Sequence, residues 1–166
     1  HMSLENYPKV AAKFVSELPT GIFLTAQKDG IANSMVIGWA TIGRVWSRPT
    51  VTIYVRPQRY THDLLEKATS FTVSIPAHGE LKDAIRVLGT ESGRNQEKHA
   101  KCNLTLHESL TVDTPYIEDC EAWIECRIMY RQWMHDTDDP VISRQYPEKD
   151  YHEILYGEIL HCGIRE

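Results

Sequence analysis

The chain contains no run of about eighteen apolar residues, so no segment reads as a membrane-spanning helix. It has no excess of positive charge: 18 Lys and Arg face 23 Asp and Glu, for a formal net charge of -5. Broad nucleic-acid and anionic-membrane surfaces need the opposite balance, and neither partner is expected. Cysteine is sparse. Cys102, Cys120, Cys126 and Cys162 form no C-x-x-C pair and, with the scattered His, no zinc spacing. They read as reduced core residues, and no metal site is expected. G-x-G-x-x-G and alternating βαβ units are absent, which argues against a doubly wound dinucleotide fold. G-x-S-x-G is absent too, and with it the serine-hydrolase elbow. There is no internal repeat, no low-complexity segment and no signal-peptide h-region, so the expected location is cytoplasmic.

What is present suits a single globular domain. At 166 residues with 42% hydrophobic content, the chain can bury a core without metal or disulfide staples. His1-Met2 reads as a cloning remnant, leaving 3–166 as the domain.

Periodicity gives a β-rich outline. Residues 5–17 predict a short, poorly packed helix, with Val10, Phe14 and Val15 at mixed spacing and Pro8 as a breaker. Gly21 to Ala26 and Ile31 to Trp39 predict two strands around the hairpin signal Lys28-Asp29-Gly30. Val51 to Val55 and Phe71 to Ile75 predict two more, the latter closed by Pro76. Thr61 is placed to cap a helix running to about Ala68. Leu81, Ala84, Ile85 and Leu88 share one face of another helix, expected to end at Gly89. Residues 120–133 and 152–164 read as long strands on either side of a polar loop, 135–150. Many strands with a few short helices imply a closed or nearly closed barrel, mainly β with α+β character.

Two clusters carry candidate chemistry. The first is Asn33-Ser34-Met35-Val36-Ile37-Gly38-Trp39, a strand that offers backbone approach and apolar cover to a flat ring. Its bland reading is an ordinary core strand ending in Trp. The second is Arg56-Pro57-Gln58-Arg59-Tyr60-Thr61, where guanidinium, hydroxyl and backbone N–H donors could hold a phosphate at a helix start. Its bland reading is a solvated loop with a helix cap. Further on, Ser92-Gly93-Arg94 with Lys98 could close over a phosphate, and Asp150-Tyr151-His152 opens the last strand.

In order and spacing these segments resemble the flavin reductase-like, FMN-binding split-barrel family, within it the flavoredoxin-like branch. The Leu88-Gly89-Thr90-x-Ser92-Gly93-Arg94-Asn95-x-x-Lys98 stretch resembles that family's Ser-Gly-Arg loop, with Asn95 where Asp is usual and His99 where an aromatic often follows. The resemblance implies an FMN-binding split β-barrel with short flanking helices. It implies noncovalent FMN, with NADH or NADPH as the reductant and a flavin, metal or protein as electron acceptor. It also implies a homodimer, because such barrels complete the flavin pocket with a partner chain. The backbone of Asn33, Ser34, Met35, Val36 and Trp39 would line the ring. Arg59, Tyr60 and Thr61 would hold the tail, with Arg56 as an addition and Ser92, Gly93, Arg94 and Lys98 closing over it. His152 would lie near the flavin or nicotinamide, although a structural His at a strand start fits equally. A non-enzymatic flavoredoxin-type electron carrier, and a barrel binding another planar ligand such as haem or a pyridoxal derivative, both stay open.

Overall fold

One large antiparallel sheet dominates the computed structural model, which describes residues 4–90 and 98–165. The order along the chain is α1 (Tyr7–Glu17), β1 (Ile22–Lys28), β2 (Ile31–Ile37), β3 (Ala40–Val45), β4 (Arg48–Val55), α2 (Tyr60–Leu65), β5 (Ser70–Ile75), α3 (Lys82–Thr90), α4 (Lys98–Lys101), β6 (Leu106–His107), β7 (Tyr116–Ile117), β8 (Ala122–Trp133), α5 (Pro140–Ser143) and β9 (Glu153–Ile164). Seven strands pair in the order β2-β1-β5-β8-β9-β4-β3, and β6 and β7 form a separate ribbon.

This order forces the sheet to roll. Its two edge strands, β2 and β3, are joined only by Gly38 and Trp39. In a flat sheet those edges would lie about 29 Å apart, at about 4.8 Å per neighbouring pair. A two-residue link spans at most about 11 Å. The sheet therefore curls until β2 and β3 leave a shared corner, giving a barrel split along the β2/β3 seam.

Both hairpins at this seam turn through two residues with positive φ, the requirement of a type I′ turn. Asp29 and Gly30 (φ 52° and 77°) join β1 to β2, and Trp46 and Ser47 (φ 52° and 60°) join β3 to β4. The second turn lacks Gly and Asn, so it leaves no signature in the sequence, and β3 is a strand that periodicity did not predict. The two-residue strands β6 and β7 are too short to show a period at all.

Ile22 and Leu24 of β1, Val51 and Ile53 of β4, Phe71 and Val73 of β5, Ile124 of β8 and Leu155 of β9 meet inside the barrel. Its two ends are closed by helices. Val10 and Phe14 of α1 join the core at one end, each fully or almost fully buried and each worth roughly 1.5–3 kcal/mol. The expectation of a poorly packed first helix is therefore corrected: Pro8 sits in the first turn, where its missing N–H breaks nothing. Leu64 and Leu65 of α2 join the core as the chain crosses from β4 to β5. The outer face of β1 is covered as well, with Phe23 packed on Ala84 and Leu88 of α3 and on Ile117. Gly89 does not end α3 but lies inside it; a Cβ there would stand 3.6 Å from Val36 Cβ, ordinary contact distance.

Cys120, Cys126 and Cys162 are buried free thiols, and Cys102 is half-buried. Burial pushes the Cys162 thiol up to about 12, so it is protonated at neutral pH.

Candidate functional site

The side chains of β2 divide by parity. Met35 and Ile37 point into the core, and Val36 packs against the α3 side. Asn33 shares the parity of Met35, and its Nδ2 donates a 2.9 Å hydrogen bond to the Thr61 hydroxyl of α2. Both residues are buried. Thr61 is therefore not the helix cap. Arg59 is the N-cap residue with extended backbone and no side-chain cap bond, and α2 stops at Leu65. Ser34, on the other face, lies 2.7 Å from the Thr25 hydroxyl and 2.7 Å from His99 Nε2.

A cavity of about 220 Å³ opens beside the end of β2. Met35, Val36, Ile37, Gly38 and Trp39 form one wall; Tyr54, Arg56, Arg59 and His152 form the other. Among the described residues β2 pairs with β1 alone, so no described strand uses the backbone N–H and C=O groups of its second edge. Arg59 is half-buried and donates a long 3.4 Å hydrogen bond to the Leu88 carbonyl. Burial pushes its guanidinium below the usual arginine range. A cation so placed gains from an anion at its head.

Arg56 is already matched. It forms a 2.9 Å ion pair with Asp150, donates to the Gln145 carbonyl at 3.2 Å and sits 5.0 Å above the Tyr146 ring. Gln58 donates to the same Asp150 carboxylate at 2.8 Å. Together these contacts fasten the loop 135–150 and the start of β9 to the turn after β4.

His152 is buried, with Nδ1 2.6 Å from the Tyr146 hydroxyl and its ring 5.1 Å from that of Trp39. Burial, then the charge of Arg56, pulls its pKa down to about 4 against a smaller opposing effect of Asp150. The ring is neutral at pH 7 and acts as a polar wall rather than a charge. Past Trp39 a more apolar groove of about 560 Å³ continues along Ala40, Met134, Val141, Ile142 and Tyr146. At the other end of β2 a wider cavity of about 880 Å³ is bordered by Ala32, Asn33, Tyr60, Lys98 and His99. Lys98 is almost fully buried.

Of the residues singled out by sequence, Met35, Val36, Trp39, Arg56, Arg59 and His152 line the first cavity, whereas Asn33, bonded to Thr61, borders the wider one. Tyr60 and Lys98 border the wider one too. Ser34 turns away from the core side toward His99. Ser92, Gly93 and Arg94 lie outside the described residues. The Trp46 to Pro49 segment turns the β3–β4 hairpin, its Trp ring 5.5 Å from those of Tyr130 and Tyr156, and lines none of these cavities. Sequence reasoning passed over Tyr146 and gave no role to His99. No local pattern marks either one: His99 meets Ser34 from 65 positions away, and Tyr146 is brought onto His152 by the fold of the loop between them.

Residues 15–166 match the flavin reductase like domain. The chain belongs to this family. A curated relative, an uncharacterised protein of Archaeoglobus fulgidus, is 33% identical over 129 residues, which is 78% of this chain and 63% of that protein. The flavin reductase-like chain thus spans less than two thirds of that relative's length. Among solved structures, flavoredoxin of Desulfovibrio vulgaris (Miyazaki F) superposes with a TM-score of 0.70 at 22% identity, covering 88% of this chain and 69% of the other. An FMN-binding domain of a flavin reductases-like enzyme from Shewanella baltica gives a TM-score of 0.66 at 21% identity, covering 92% and 73%. At these identities the likeness establishes the shared split-barrel fold. In this flavin reductase-like chain no helix among the described residues is long and apolar enough to cross a membrane.

Proposed function

We propose that this flavin reductase-like domain is an oxidoreductase that holds FMN noncovalently and is reduced by NADH or NADPH. The observation that carries the reading is one cavity walled by the edge strand segment Met35 to Trp39 and by the half-buried Arg59 guanidinium, with the buried Asn33–Thr61 pair tying the same strand to α2. Family membership supplies the ligand class, and these residues fit it. An edge strand presents alternating donors and acceptors to the rim of a flat heterocycle. Arg59 offers charge to a phosphate tail, and Tyr60 and Thr61 follow it at the start of α2. When bound, FMN supplies the hydride and electron chemistry itself, so the protein's work is positioning, electrostatics and access.

Each wall then has its own task. Met35 to Trp39 would carry the ring on backbone groups and exclude water from one face. His152, neutral and held by Tyr146, would place an uncharged polar edge beside it. The groove past Trp39, lined by Ala40, Val141, Ile142 and Tyr146, would admit the nicotinamide or the acceptor. A homodimer is part of the proposal. Trp39, Trp46 and Trp133 are 45%, 56% and 44% exposed, more aromatic surface than a small lone barrel usually leaves in water.

The absorption spectrum of the purified protein tests the cofactor: flavin bands support the reading, while haem or pyridoxal bands overturn it. Oxidation of NADH or NADPH, with and without added free flavin, separates a reductase from a flavoredoxin-type carrier that turns over neither nucleotide. Light scattering at micromolar concentration with flavin bound should give twice the 19.1 kDa chain mass.

A further inference from the structure

We propose that His62, Asp63 and Glu66, on and just past α2, form a binding site for a divalent transition-metal ion such as Zn²⁺ or Co²⁺. The proposal does not rest on the flavin reading. Positions 62 and 66 lie one helical turn apart and face the same side, while 63 borders them. One ligand atom from each residue lies within 4.8 Å of the others.

The second observation is His62 itself. The side chain is 2% exposed, and its Nδ1 is buried with no hydrogen-bond partner. That nitrogen lies 3.7 Å from Glu66 Oε1, too far for a hydrogen bond. Two ligand atoms on one tetrahedral zinc stand about 3.3 Å apart, so a small turn of the Glu66 side chain closes the pair around an ion. On the other side of the ring, Nε2 is 3.0 Å from Glu153 Oε1. A carboxylate only accepts, so Nε2 carries the hydrogen in this bond. The neutral ring in this bond has its lone pair on Nδ1, on the side of Glu66 and Asp63. This is the carboxylate–histidine arrangement that orients imidazoles toward metals. Glu153 is steadied in turn by Arg131 Nη1 at 3.9 Å, while Arg131 Nη2 donates to the carbonyls of Leu65 and Ala68 on the same segment.

Asp63 and Glu66 are exposed, which leaves the remaining coordination positions to water. One imidazole nitrogen with two carboxylate oxygens suits a borderline cation better than Ca²⁺ or Mg²⁺, which prefer oxygen alone.

The Trp133 ring, 5.5 Å from that of His62, provides the readout. The protein as isolated is treated with EDTA, desalted, and titrated with Co²⁺ while tryptophan emission and bound metal are followed. One Co²⁺ per chain with saturable quenching is expected, and Zn²⁺ should bind competitively and reverse the quench. Glu66→Gln and Asp63→Asn change exposed groups and leave the His62–Glu153 bond intact; Glu66→Gln should weaken binding at least tenfold. Trp133→Phe should abolish the saturable quench while one Co²⁺ still binds. No saturable binding up to millimolar Co²⁺ overturns the proposal, and so does binding that neither carboxylate variant weakens. In the first case the His62 ring is simply an ion-pair partner of Glu153 and Glu66.

Discussion

Asn33 and Thr61 meet across 28 positions: the Asn33 amide donates at 2.9 Å to the Thr61 hydroxyl, and both residues are buried. This bond ties the free edge strand β2 to the first turn of α2, so the two halves of the candidate cofactor site move together. Thr61→Val keeps the shape and removes the acceptor, leaving a buried amide donor unpaired. It should lower the unfolding free energy by about 1–3 kcal/mol and weaken FMN binding. Thr61→Ser should restore most of both. Urea denaturation and FMN titration of the two variants check this.

Arg59 should discriminate for the phosphate. A charge-assisted contact is worth roughly 1.5–3 kcal/mol, so Arg59→Gln should raise the Kd for FMN tenfold or more and leave riboflavin nearly unchanged. Arg56→Gln should act differently, because its charge is already matched by Asp150 at 2.9 Å. Its main effect should be a looser loop 135–150, read as faster proteolysis there. Equal losses for FMN and riboflavin on Arg59→Gln would rule out a phosphate role.

His152 should impose an acid dependence on stability. Its pKa is about 4 in the folded chain and about 6.5 when unfolded. Between those values the unfolded chain binds the extra proton, so stability falls as pH drops from about 6.5 toward about 4, and it is fully retained above that window. The slope from this one group is at most about 1.4 kcal/mol per pH unit. His152→Gln should flatten the profile in that window while leaving its shape above pH 7 unchanged. Chemical denaturation across the range measures it.

Gly157 should tolerate no side chain. A Cβ there would come 2.5 Å from Phe71 Cζ and 2.8 Å from Cys126 Cβ, with Phe71 fully buried in the barrel. Gly157→Ala should cost about 1–3 kcal/mol by overpacking. Adding Phe71→Leu should give a double mutant more stable than the sum of the two single losses, since the two sites share one space. Thermal denaturation of all four proteins completes the cycle.

Features set by local propensity were legible before any coordinates. The Asp29-Gly30 turn, the β4 strand, the β5 strand closed by Pro76 and the long runs of β8 and β9 each carry their signal within a few neighbouring residues. The candidate site was legible where a residue type signals its chemistry, as with Arg59 and Thr61, although the hydroxyl's partner was not. The third dimension decided which strand lay open and which polar groups met. β3 escaped notice because Trp46 and Ser47 adopt left-handed backbone without glycine, a strain the paired strands must hold in place. Tyr146 reaches His152, Ser34 reaches His99 65 positions away, and His62 reaches Glu153 91 positions away. No period or propensity encodes such pairs. They exist because a seven-stranded sheet, rolled until its edges share Gly38 and Trp39, brings distant strands and the helices between them into contact.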